Sequence, residues 1–141
     1  MKIHVLFLLL VSLLSSCAQQ SNRSYTTLLP GAESQTITDF ITERLMAEYP
    51  RPSEQSLLFF ASGNKPFDKA LEDSARTAGF RVETMPSDET ITVQYVIDDV
   101  KGTNASYISL KTDKGLNISR TFDNTTYALN STFLQQDTKN E

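Results

Sequence analysis

A chain of 141 residues is the size of one domain with a modest core. Hydrophobic residues at 39% and charged ones at 21% argue against wholesale disorder and against a multispanning membrane protein. The formal net charge of −4, with no basic stripe, argues against direct nucleic-acid binding, which needs clustered Lys and Arg to displace counterions from phosphates.

The chain opens with Lys2 as a minimal positive segment, followed by the apolar run Val5 to Leu14, broken only by Ser12. That run is shorter than the roughly 20 apolar residues needed to cross a bilayer but has the length of an export signal. Behind it stands Leu14-Ser15-Ser16-Cys17, with the chain's single cysteine last. An apolar residue, two small ones and a cysteine resemble the lipobox of bacterial lipoproteins. The resemblance implies recognition of Leu14, Ser15 and Ser16 by a signal peptidase, with residues 1–16 removed. It also implies diacylglycerol and an N-acyl chain, palmitate-like, on Cys17. An ordinary secretory peptide with a chance cysteine is the competing reading. A lone cysteine excludes an intrachain disulfide. One acyl chain, at about 0.8 kcal/mol per buried CH₂, anchors marginally, whereas two or three hold firmly. Ala18 in place of Asp, by analogy with enterobacterial sorting, points to the outer membrane, on its periplasmic side.

Residues 17–33 read as a lipidated N-terminus and flexible tether, because "AQQSNRSYTTLLPG" is polar and without period. Fourteen such residues would span about 20 Å as a coil and about 40 Å drawn out. Leu28 and Leu29 interrupt this polarity and are candidate partner contacts, or a loose contact with the chain's own domain.

An α+β domain is expected over residues 34–134. Ser34 or Thr36 would cap a helix running to about Glu48, with Ile37, Phe40, Ile41, Leu45 and Tyr49 on one apolar stripe. "YPRP" ends it, since the residue before a proline is pushed out of the helical region. "SLLFFAS" has the length of a buried strand. Gly63 and Asn64 turn the chain into a helix with Pro66 near its start, an inner face of Phe67, Ala70, Leu71, Ser74, Ala75 and Ala78, and Gly79 as its stop. "FRVETM" alternates as a strand, making residues 56–85 a strand, helix, strand unit.

The period then becomes two. Ile91, Val93, Tyr95 and Ile97 share a face, and "SYISLKTDKGLNISRTF" predicts two strands joined at Asp113-Lys114-Gly115, with Ile108, Leu110, Leu116, Ile118 and Phe122 inward. A last strand falls near "TYALNSTFL", and residues 135–141 read as a frayed tail. The expected architecture is a small single domain in which two helices pack on a sheet with an antiparallel C-terminal meander.

Little in the chain points to catalysis. The only histidine, His4, lies in the segment expected to be removed, and the only cysteine is expected to be lipidated. This argues against a histidine-dependent triad and against Cys/His metal sites, so neither a cofactor nor a metal is expected. Asp98 and Asp99 are neighbours, which on a strand point to opposite faces. Asp68, Glu72 and Asp73 read as a polar helix flank. The chain shows neither a G-x-S-x-G elbow nor an S-x-x-K arrangement, and neither a Walker loop nor a G-x-G-x-x-G. The reading is not an enzyme. The sequons at Asn104, Asn117, Asn124 and Asn130 fit surface turns or strands better than glycosylation.

Four stretches, "EYPRP", "PFDKALEDSARTAGFRV", "QYVIDD" and "ISRTF", stand in an order that resembles the TrbH-type lipoproteins of conjugal transfer systems, small outer-membrane components of type IV secretion machines. The resemblance covers about residues 14–122. It departs at the tail, where the family pattern ends on a Gly-Xaa-Trp segment and this chain has no Trp. It implies a scaffold in a DNA-transfer apparatus, held to the outer membrane by lipid and contacting larger channel proteins and other copies of itself. Competing classes are a general envelope-assembly or ligand-binding periplasmic lipoprotein, and a surface-exclusion or inhibitor lipoprotein.

Overall fold

The structure is a computed structural model that describes residues 23–27, 32–126, 128–129 and 134–135. In chain order the elements are β1 (Tyr25–Thr26), α1 (Ala32–Glu48), a 3-10 turn (Pro52–Glu54), β2 (Ser56–Phe59), α2 (Lys65–Thr77), β3 (Arg81–Val82), β4 (Thr90–Asp99), β5 (Ala105–Thr112), β6 (Asn117–Asp123) and β7 (Leu134–Gln135). The seven strands form one sheet in the order β3-β2-β4-β5-β6-β7, with β1 also on β4. Its N-terminal part is parallel and its C-terminal part an antiparallel meander, as the change of period predicts.

β4 is the axis of the sheet. One edge pairs with β5 along Val93 to Asp99. The other takes β2 along Thr90 to Val93 and then β1 at Val96 and Ile97, so β1 and β2 lie end to end, with Ser24 N donating to Ala61 O at 3.3 Å.

α1 begins at Ala32, earlier than a cap at Ser34 or Thr36 would place it. Ile37, Phe40, Ile41 and Leu45 are buried as the stripe predicts, and Thr38 and Thr42 are buried with them. Those two hydroxyls are satisfied: Thr38 donates to Gln35 O at 2.9 Å, and Thr42 shares a hydrogen with Ser74 of α2 at 2.9 Å.

α2 starts at the N-cap Asn64, whose side chain accepts from Phe67 N, with Pro66 in the first turn where its missing N–H costs nothing. It ends in a Schellman motif: Phe80 N donates to Ala75 O at 3.1 Å and Gly79 N to Arg76 O at 3.0 Å, with Gly79 at φ 100°. β3 is shorter than the alternation of "FRVETM" suggests, because only Arg81 and Val82 find register on β2.

β2, β4, β5 and β6 send one set of side chains to the same core as the helices. Leu57, Ile91, Val93, Tyr95, Ile97, Ile108, Leu110, Leu116, Ile118 and Phe122 join Phe67, Leu71 and Ala75 of α2 and the apolar stripe of α1 in one cluster. Each such burial is worth roughly 1.5–3 kcal/mol for the larger side chains. The Phe67 and Tyr95 rings meet at 5.4 Å, placing α2 over β4. Arg120 of β6 lies 5.9 Å from the centre of the Phe40 ring, placing α1 over β6. Both helices therefore cover one face of the sheet.

Candidate functional site

The opposite face follows from register, since residues paired across neighbouring strands point the same way. It carries Leu58 and Thr92, then Phe60, Gln94, Lys111 and Asn117, then Tyr25, Val96, Ser109 and Ser119, then Asp98, Tyr107 and Thr121. Among the described residues no element is layered over it. Tyr25 is 48% exposed and Tyr107 37%, high for aromatic side chains on a sheet. The Tyr107 hydroxyl pairs with Ser119 at 2.9 Å, and Ser109, in register with Ser119, is buried.

At one end this face holds an open groove of about 540 Å³, lined by Leu58, Phe60, Pro86, Thr92, Gln94, Lys111, Thr112 and Asp113. Asp113 extends the ladder beyond β5: its Oδ1 accepts from Thr92 N at 2.9 Å while its own N–H donates to Thr92 O at 3.3 Å. The Gln94 amide donates to Arg23 O at 2.7 Å, so the chain ahead of β1 meets the sheet on this open side. The groove offers apolar walls, an amide and an ammonium group. These groups are suited to contact.

The acidic residues singled out by sequence take separate roles. Asp98 and Asp99 end β4, both exposed; Asp98 Oδ1 accepts from Asp99 N at 2.9 Å, and Asp99 accepts from Ser106 Oγ at 2.8 Å. They are not an acid/base pair. Glu72 and Asp73 form the polar flank with Arg76 and Lys69. Asp68, grouped with them by spacing, instead turns inward. It accepts from Ser62 N at 3.2 Å, from Ser62 Oγ at 2.6 Å and from the Tyr95 hydroxyl. Burial, and then the neighbouring Asp68 carboxylate, push the Tyr95 hydroxyl well above the usual phenol range.

Of the residues that sequence nominated for function, Leu14, Ser15, Ser16, Cys17, Leu28 and Leu29 lie outside the described residues. Among the described residues no group of three His, Cys, Asp or Glu could hold a metal ion, and no helix is long and apolar enough to cross a membrane. Sequence reading missed the strand at Tyr25 and Thr26, inside the stretch composed like a tether, because two residues carry no periodicity. It also passed over the open face, although alternation with Ile108 and Leu110 already assigns Tyr107, Ser109 and Lys111 to the other side.

Compared with known proteins, the chain matches the model of the family described as "Conjugal transfer protein TrbH" over residues 17–136, well over half its length. No curated protein and no solved structure matches it.

Proposed function

Because the chain belongs to the TrbH family of conjugal transfer proteins, we propose that it is a lipid-anchored scaffold of a conjugative type IV secretion apparatus, attached to the outer membrane and facing the periplasm. The observation that carries this reading is the coincidence of two boundaries: the family match begins at Cys17, the residue at which a lipobox would start the mature chain. The fold supports a holding role. One face of its sheet is packed under two helices, the other carries side chains suited to contact, and β3 leaves an outer edge without a strand among the described residues. Such an edge can add a partner's strand through backbone hydrogen bonds.

In this reading the partners are larger channel subunits and further copies of the chain, with Leu28 and Leu29, next along the chain after Thr27, as contact residues. The protein performs no reaction and takes no cofactor besides the lipid on Cys17. Replacement Cys17→Ser, followed by radiolabelled fatty-acid incorporation and mass analysis of the mature chain, tests the anchor. Loss of label together with retention of residues 1–16 is expected; labelling and processing identical to the parent protein would overturn it.

A further inference from the structure

Resting on the lipid-anchor reading above, we propose that the open face of the sheet around Tyr25 and Lys111 docks on the lipid surface to which Cys17 is attached.

The first argument is length. Arg23 is fixed to the open face by its carbonyl on Gln94, and Ser24 is fixed to the sheet by two bonds, its N–H to Ala61 O at 3.3 Å and its Oγ accepting from Tyr95 N at 3.1 Å. Only residues 18–22 then separate the anchor from the folded domain. Six Cα steps reach at most about 20 Å, and about 13 Å as a coil. A domain of this size has a radius of gyration of about 13 Å and is therefore about 35 Å across. The leash is shorter than the body it holds, and the Arg23 carbonyl next to it is held on the open side. The lipid surface thus lies within reach of that face and out of reach of the helical layer unless the domain turns over.

The second argument is chemistry. Tyr25 and Tyr107 present aromatic bodies with polar tips, the amphipathic character that settles at the boundary between acyl chains and water. Leu58, Phe60 and Val96 add apolar surface, and Lys111 places an ammonium group on an apolar stem where phosphates would lie. Of the carboxylates of this face, Asp98 and Asp123 are on rows at the end of the sheet away from the groove, Glu83 is beside Ser56 at the β3 edge, and Asp113, which lines the groove, turns its Oδ1 to Thr92 N. The outward face of α1 is the poorer candidate, because it exposes Asp39, Glu43 and Glu48.

The experiment uses the full-length chain, lipidated, purified in detergent and reconstituted into phosphatidylethanolamine and phosphatidylglycerol vesicles. Lipid blocks the native cysteine, so each introduced thiol is the only one to label. A fluorophore is placed through Tyr25→Cys or Lys111→Cys on the open face, and through Glu43→Cys or Met46→Cys on the helical layer, all exposed positions whose fold is checked by circular dichroism. Quenching by lipids spin-labelled near the headgroup should be several-fold stronger at the two sheet positions than at the two helix positions. Equal quenching on both faces, with Cys17 shown by mass to carry lipid, overturns the docking and leaves the anchor standing. An unmodified Cys17 overturns both. Shielding of the sheet positions that appears only when channel proteins are added assigns the face to a protein partner and overturns the docking.

Discussion

The Tyr95 hydroxyl, in the middle of β4, donates to the Asp68 carboxylate in the first turn of α2. The same carboxylate receives the N–H and Oγ–H of Ser62, so one side chain ties together the loop after β2, the start of α2 and the central strand. Both partners belong to stretches that carry the family resemblance, "PFDKALE" and "QYVIDD", and their role here is to lock the helix onto the sheet.

Tyr95→Phe keeps the ring against Phe67 and removes only this bond. A hydrogen bond to a charged group is worth roughly 1.5–3 kcal/mol, so urea unfolding should show a loss of that size, with the midpoint moved and the slope unchanged. The variant should also alter the alkaline limb. A phenol whose folded-state pKa is raised contributes stability fully below its unfolded value of about 10, and that contribution is lost as pH rises through the folded value. The parent protein should lose stability above about pH 10 more steeply than Tyr95→Phe. Parallel curves for the two proteins would contradict this role for Asp68 and Tyr95.

Gly79 tests the stop of α2. A Cβ at this position would meet only Pro52 Cβ at 3.7 Å, an ordinary contact, so space does not demand glycine. The φ of 100° does, because L side chains rarely adopt it. Gly79→Ala should cost about 1–2 kcal/mol, with Gly79→Asn milder, measured by thermal unfolding.

Phe40 sits between two cations. Arg44, one turn along α1, lies 5.7 Å from the ring centre and Arg120 of β6 lies 5.9 Å from it. Each contact is worth about 0.5–1 kcal/mol or more when shielded from water, so Phe40→Leu should cost about 1–3 kcal/mol once the lost ring volume is included. A double-mutant cycle of Phe40→Leu with Arg44→Met should return a non-zero coupling energy; strict additivity would show that the ring and the Arg44 guanidinium do not interact.

Asp123 organises the turn after β6. Its Oδ1 accepts from the N–H of Thr126 and of Thr125, both at 2.8 Å, and these bonds hold its carboxyl below the usual carboxylate range. A carboxyl depressed in the folded state contributes stability above its unfolded value of about 4, and that contribution is lost as pH falls through the folded value. In an NMR titration the Asp123 carboxyl should titrate at lower pH than an exposed aspartate, with the Thr125 and Thr126 amides shifting alongside it.

What the sequence disclosed was governed by period. Phe67, Leu71 and Ala75 at helical spacing, and Ile91, Val93, Tyr95 and Ile97 at spacing two, placed both α2 and β4 correctly, since each pattern spans enough residues to exclude the other. Asp68 was misplaced on the polar flank because a helical wheel knows nothing of Tyr95, 27 residues further on, which draws it inward. β1 stayed hidden for a related reason: Tyr25 and Thr26 pair because β2 ends early enough to leave the edge of β4 open at Val96 and Ile97, a fact of three segments at once. The open face was legible as the complement of the core.

The central claim, that this chain is an anchored part of a mating channel, is tested most directly by extracting outer membranes in mild detergent from cells with an assembled channel and isolating a tagged copy of the mature chain. The account predicts a large complex containing further copies of the chain and other channel proteins, and its disappearance with Cys17→Ser. A strictly monomeric chain, recovered alone from cells whose channel is shown to be assembled, would contradict it.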